Sequence, residues 1–382
     1  MNTLSRLCFF VVSLSVGVLP SPAQAEAFDA EASVDRLQPR GHILAEKVLC
    51  RQPGRYIGWP SIVLTDKGEM LVVFSGDRDW HVCPWGKVQC VRSADGGRTW
   101  SAAETIIDTP IDDRDPSIIQ LPDGSLGVST VASLAFDNPE VGRYKPYQEY
   151  AASLGDTKQE LKGNWFYRST DHGLTWEAAG RPPVSTPHGP AVLSDGRLLI
   201  VRNPVVESKD YGKTWTKIAS IEKDAETWKS RYAFLSEQHA VEASDGRLVA
   251  LSRYADGKDI DLRQAVSFDG GKTWSRPRPT GMQGYPAHLL KLDNGWLLAS
   301  YGRRTAPMGQ RACISKDHGE TWLVDEEITL SNAVLQGRGD LGYPASVQLP
   351  DGTIWTVYYQ VEKESHGEFP SLMATHWRLR GE

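Results

Sequence analysis

Beyond its N-terminus this 382-residue chain has no long apolar run, so the body of the protein is expected to be soluble, without a membrane span. It has no block of like charge either. Its 42 basic and 48 acidic residues are interspersed, which argues against nucleic acid as a partner. Cysteine is scarce, at five residues, and the nearest pair, Cys83 and Cys90 in CPWGKVQC, lacks zinc-site spacing. No metal and no cofactor are expected on these grounds. Disulfides are open to Cys50, Cys83, Cys90 and Cys313 if the chain is exported, but spacing does not assign a pairing.

Export is expected from residues 1–25. Arg6 is their one charge, an apolar run follows from Leu7 to about Leu19, and Ala23-Gln24-Ala25 forms a small-x-small cleavage site. That run is too short to cross a bilayer comfortably, so the segment reads as a cleaved leader to a periplasmic or secreted product. Removing 25 of the 382 residues leaves 357 and takes one basic residue away, moving the net charge from −6 to −7. Residues 26–382 are expected to form one folded domain.

What the chain has in abundance is turn chemistry, with 35 glycines, 23 prolines and one pattern five times over. The copies are SADGGRTW from Ser93, STDHGLTW from Ser169, SKDYGKTW from Ser208, SFDGGKTW from Ser267 and SKDHGETW from Ser315. Asp and Ser can bond local backbone N–H groups, Gly adopts a φ that other residues resist, and the closing Trp can bury a large ring over the turn. A second repeat, strand–Gly turn–strand, runs out of phase with it at Gly68, Gly124, Gly196, Gly246, Gly295 and Gly352. The spacing averages about 57 residues, the size of one four-stranded propeller blade. An all-β, six-bladed β-propeller is therefore expected, with a box on the later hairpin of the first five blades. The sixth ends in SLMATHWRLR without a box, and residues 34–52 are the candidate for completing it, which would hide an exposed edge. Residues 132–163 interrupt the second blade. They are read as either a lid beside the central funnel or surface decoration, with a short helix in QEYAASLGDTKQEL.

Ligand sites of propellers usually lie where the innermost strands begin, so the residue ahead of each first hairpin is informative. These are Trp59, Asp115, Pro187 with His188, Glu237, Tyr285 and Tyr343. Carboxylates, phenols and an imidazole suit acid–base and nucleophilic chemistry on a sugar, whereas a purely structural ring would be small and apolar. Arg78, Arg114, Arg253, Arg303, Arg304 and Arg311 fall at inner-strand ends, where guanidinium groups could hold a carboxylate or sulfate. The plain alternative is a water-filled polar channel with surface arginines.

The five boxes and six hairpins resemble the sialidase superfamily, whose repeats are called Asp boxes. The resemblance covers essentially the whole chain after the leader. It implies a tyrosine nucleophile at Tyr343 in GYPASVQL, assisted by Glu237 in SEQHAVEASDGRL, an exception among glycosidases. It further implies carboxylate-binding arginines at Arg253 and Arg311 and an accessory one at Arg78. The pattern departs at two positions. Gly58-Trp59-Pro60 stands where an Arg-Ile-Pro motif belongs, and Cys83 stands where the acid/base aspartate belongs. Asp115, Asp79 and His81 are the candidates for that proton, and Trp59 is expected to stack on a pyranose. Tyr285, His188 and His239 complete the expected ring of substrate contacts. Three functions stay open: a sialidase-like exo-glycosidase acting on the terminal acidic or related sugar of a glycan, a propeller lyase acting on uronates, and a non-catalytic carbohydrate-binding propeller.

Overall fold

A computed structural model describes residues 35–221, 234–255, 260–362 and 369–381; the leader expected at residues 1–25 lies outside them. Six antiparallel sheets form the blades of a propeller. Their innermost strands are Tyr56–Leu64, Asp112–Gln120, Ala191–Val192, Phe234–Glu242, Ala287–Lys291 and Gly342–Gln348. Each of the first five blades adds three further strands in chain order.

The first hairpin of every blade closes with the same turn. Its glycine has φ between 79° and 85° and donates its N–H to the carbonyl three residues earlier, at 2.8–3.0 Å. The side chains of the second strands pack on both faces, because each blade is covered by a neighbour on either side. Met70–Arg78 is buried at eight of its nine positions. Hence these strands read as apolar runs such as MLVVF instead of alternating with polar residues. Separate apolar clusters fill the gaps between successive blades: one and two, two and three, three and four, four and five, five and six, and six and one.

The boxes sit on the turn between third and fourth strands. In the second blade Ser169 Oγ donates to Asp171 Oδ1 at 2.7 Å and accepts from the N–H of Gly173 at 2.7 Å. Thr175 gives the same carboxylate its N–H at 2.9 Å and its hydroxyl at 2.6 Å. The indole N–H of Trp176 closes the turn on the carbonyl of Gly173 at 3.2 Å. The residue before the box glycine is left-handed in all five copies: Gly96, His172, Tyr211, Gly270 and His318.

The sixth blade is closed by the pairing of an early strand with the last one among the described residues. Gly41–Cys50 pairs antiparallel with Ser371–Leu379, Ile43 facing Trp377, as residues 34–52 were expected to do. The insertion in the second blade folds as two short helices, α1 (Gln148–Ser153) and α2 (Thr157–Leu161). They are anchored by Phe136 and Ala151, which are fully buried against Ile111 and Ala132. No helix among the described residues is long and apolar enough to cross a membrane. Cys50, Cys83, Cys90 and Cys313 are all buried free thiols.

Candidate active site

Four of the six inner strands share a device that aims a side chain into the funnel. Trp59, Asp115, Glu237 and Tyr343 have φ of 56°, 50°, 52° and 49°, although none is glycine. At each the first hairpin slips register: between Gly58 and Ser61, Arg114 and Ser117, Ser236 and His239, and Gly342 and Ala345. A bulge of this kind re-aims one residue out of the pleat. A left-handed bulky residue costs on the order of 1–3 kcal/mol, so four at one end of the channel single it out as the candidate site.

Three of the four converge. The Tyr343 hydroxyl donates to Glu237 Oε1 at 2.7 Å, and Arg253 Nη1 donates to both oxygens of Glu237 at 3.0 Å. Asp115, Glu237 and Tyr343 line one cavity of about 190 Å³, together with Pro187 and Arg202. Arg202 is held by the carbonyl of Ser185 at 2.8 Å. Burial, and then the carboxylates of Glu237 and Asp115, push the Tyr343 phenol well above its ordinary range, while the Arg304 guanidinium pulls it down. At rest the phenol therefore keeps its proton and shares it with Glu237. Arg304 lies 5.8 Å from the Tyr343 ring and 5.2 Å from the Tyr285 ring. Its Nε and Nη2 are buried and have no hydrogen-bond partner among the described residues.

Several expected ligands are placed elsewhere. Arg78 is fully buried; it holds Asp112 through two bonds of 2.6 and 3.0 Å and the carbonyl of His81 at 3.0 Å. Its guanidinium is consumed inside the protein and is not offered to a substrate. Arg311 is consumed likewise by Glu327 at 3.2 Å and the carbonyls of Gln310 and Pro307 at 2.9 and 2.8 Å. Arg304, on the neighbouring strand end, takes the place in the funnel expected of Arg311. Trp59 is only 1% exposed, with the guanidinium of Arg114 4.4 Å and that of Arg78 4.8 Å from its ring centre. It has no open face for a pyranose and serves as a wall between Tyr343 and His81, at 6.5 and 5.0 Å between centroids.

Among the expected proton donors, Asp115 lines the cavity beside Arg114, whose Nε lies 3.3 Å from it. Asp79 is occupied by Arg55 and by the Trp85 indole N–H at 2.6 Å. Cys83 is fully buried. His81 belongs to a cluster that the sequence did not announce. Asp340 accepts hydrogen bonds from Tyr56 at 2.8 Å and Tyr359 at 2.7 Å, and it lies 3.3 Å from His81 Nδ1. Those contacts hold the Asp340 carboxyl down at about 2 despite its burial. Asp340 precedes Tyr343 by three residues in a loop without a repeat signal, and only that proximity could have pointed to it.

His188 lies 6.2 Å from the Tyr343 ring and, with His239 and His288, lines the other opening of the channel, a recess of about 430 Å³. His239 Nδ1 accepts the N–H of Leu289 at 2.9 Å. Burial lowers all three imidazoles, that of His288 to about 4, so they are neutral at pH 7. His188 is the floor beneath Tyr343, whereas His239 faces away from the cavity instead of joining the expected ring. No group of three His, Cys, Asp or Glu among the described residues could hold a metal ion.

A model described as a BNR repeat-like domain matches residues 147–356, more than half of the chain. The chain belongs to this BNR-repeat family of the sialidase superfamily. A sialidase from Bacteroides fragilis is 24% identical over 278 residues, covering 70% of this chain and 43% of that protein. A xyloglucanase from a Paenibacillus species is 28% identical over 285 residues, 68% of this chain and 24% of the relative. The chain thus spans less than half of the length of either curated relative. A Dyadobacter fermentans protein of unknown function superposes with a TM-score of 0.72 at 26% identity, covering 90% of this chain and 100% of that one. In this BNR-repeat protein Tyr343 and Glu237, the pair the superfamily resemblance implies, are in direct contact.

Proposed function

We propose that the protein is an exported, retaining exo-glycoside hydrolase of sialidase type acting on a terminal acidic sugar. The observation that carries this reading is the 2.7 Å hydrogen bond from Tyr343 to Glu237 at the base of a cavity shared with Asp115. As the anomeric carbon approaches, Glu237 takes the phenol proton and the tyrosinate oxygen forms a bond to that carbon. The glycosidic C–O bond breaks, and Asp115 gives its proton to the departing oxygen. Water then attacks the anomeric carbon and loses a proton to Asp115, the bond from that carbon to the tyrosine oxygen breaks, and the released phenoxide takes its proton back from Glu237.

Arg304 fits the role of anion holder best, because its buried donors are otherwise unmet; Arg114 stands across the funnel on the Trp59 ring. A phenol nucleophile also avoids bringing a second carboxylate against a sugar that carries one. The sialidase and xyloglucanase relatives support glycan chemistry without specifying this chain's sugar.

A panel of fluorogenic glycosides and uronate polysaccharides, read for released label and for unsaturated product, tests the reading. Hydrolysis of an acidic glycoside is expected. Elimination products alone, or silence across the panel, would overturn it. Asp115→Asn should lower turnover on the order of 10²–10⁴-fold with poor leaving groups and much less with activated ones. If His81→Gln shows that dependence instead, the proton donor is the His81–Asp340 pair.

A further inference from the structure

The rim of the funnel carries a second recess that the chemistry above does not use. The loop after Arg78 and the blade-two insertion meet around a pocket of about 310 Å³ lined by Trp80, Val82, Arg143, Tyr144 and Tyr147. Trp80 is 37% exposed, so part of its indole face is open to a ligand in the recess. Arg143 is exposed and has no ion-pair partner among the described residues.

This recess is built, not incidental. Buried Arg78 donates to the carbonyls of Trp80 and His81 at 3.3 and 3.0 Å, fixing the loop from below. Phe369 packs edge-on against Trp80 with centroids 5.4 Å apart. On the other wall, Tyr147 stands edge-on to Trp85 with centroids 6.4 Å apart, and α1 behind it is tied by Tyr150 to the carbonyl of Pro110 at 2.7 Å. The Trp80 and Tyr147 rings thus have packed neighbours before any ligand arrives, which reduces the ordering cost of binding.

Its position specifies the occupant. Trp80 and Val82 flank His81, whose ring stands edge-on to Trp59, the wall of the Tyr343 cavity. A terminal sugar held over Tyr343 must leave the rest of its glycan at the funnel mouth. Amphipathic rings with polar edges bind the apolar faces of pyranoses while their hydroxyls stay wet. We propose that this recess is the subsite for the sugar units that follow the terminal one, stacked on Trp80 and Tyr144 with Arg143 meeting polar or anionic substituents. This rests on the glycan reading of the funnel.

The test uses the full chain carrying Tyr343→Phe, titrated calorimetrically with sialyllactose and sialylated and xyloglucan oligosaccharides of increasing length, against their terminal monosaccharides. At least one series should bind more tightly as it lengthens. Trp80→Ala or Arg143→Ala should remove that gain, on the order of tenfold, while leaving monosaccharide binding unchanged. Arg143 is exposed and unpaired, so its variant keeps the test sound should Trp80→Ala disturb the fold, which a thermal melt reports. Length-independent binding, no binding, or a length gain that survives both substitutions would overturn the subsite. Hydrolysis without a length gain removes the subsite and leaves the catalytic reading standing. A length gain lost in Trp80→Ala, with no turnover in the unmodified chain, does the reverse.

Discussion

Two arginines that look alike in sequence do opposite work. Arg304 follows the second strand of the fifth blade and Arg311 lies near the start of its third, yet one is unmet in the funnel and the other is spent on Glu327 and backbone carbonyls. Arg304→Met is therefore expected to raise KM for an anionic substrate with little change in melting temperature. Arg311→Met should do the reverse, costing on the order of 1–3 kcal/mol by leaving the carbonyls of Gln310 and Pro307 without their donor; urea titration and steady-state kinetics of both variants check this. The direction in which a strand-end arginine turns depends on its cross-strand neighbours, which explains why the sequence could not separate them. The same limit hid the burial of Trp59 under two guanidiniums. Tyr343, Glu237 and Asp115 were legible, because each stands at a fixed offset from a turn glycine. Cysteine behaves as a packing residue: burial pushes the Cys50, Cys90 and Cys313 thiols up to about 12. Native protein should resist iodoacetamide at pH 8, and alkylation before unfolding would contradict that placement.

At the scale of the element, the repeated turns were readable because their chemistry is local. Ser, Asp, Gly and Thr satisfy one another within eight residues, so little tertiary context is needed. These bonds lower the carboxyls of Asp95 and Asp269 to about 2, and that of Asp171 further. The folded pKa lies below the unfolded value near 4, so this contribution is present above pH ~4 and is lost as pH falls through the folded value. Asp171→Asn should flatten the loss of stability between about pH 4 and pH 2 relative to the parent, measured by thermal melts. An unchanged slope would mean the box carboxylate is equally held in the unfolded chain. The insertion was less legible: its helix content followed from composition, but its packing against Ile111 and Ala132 and its meeting with Trp85 needed the fold.

For the whole molecule, six blades and their number followed from one hairpin period, and residues 34–52 were the candidate for closing the sixth because an N-terminal segment commonly completes the last blade and hides its edge. Deleting residues 35–50 would expose the edge of Ser371–Leu379 and remove Ile43 and Cys50 from two interblade cores. Loss of a single cooperative unfolding transition is expected, whereas a sharp native-like melt would show that the sixth blade holds with three strands. The central claim is that Tyr343 is the nucleophile, and intact-protein and peptide mass spectrometry during turnover of an activated acidic glycoside tests it most directly. A glycosyl adduct mapping to Tyr343, lost in Tyr343→Phe together with turnover but not with ligand binding, is predicted. Near-normal turnover by Tyr343→Phe, or an adduct on another residue, would contradict it.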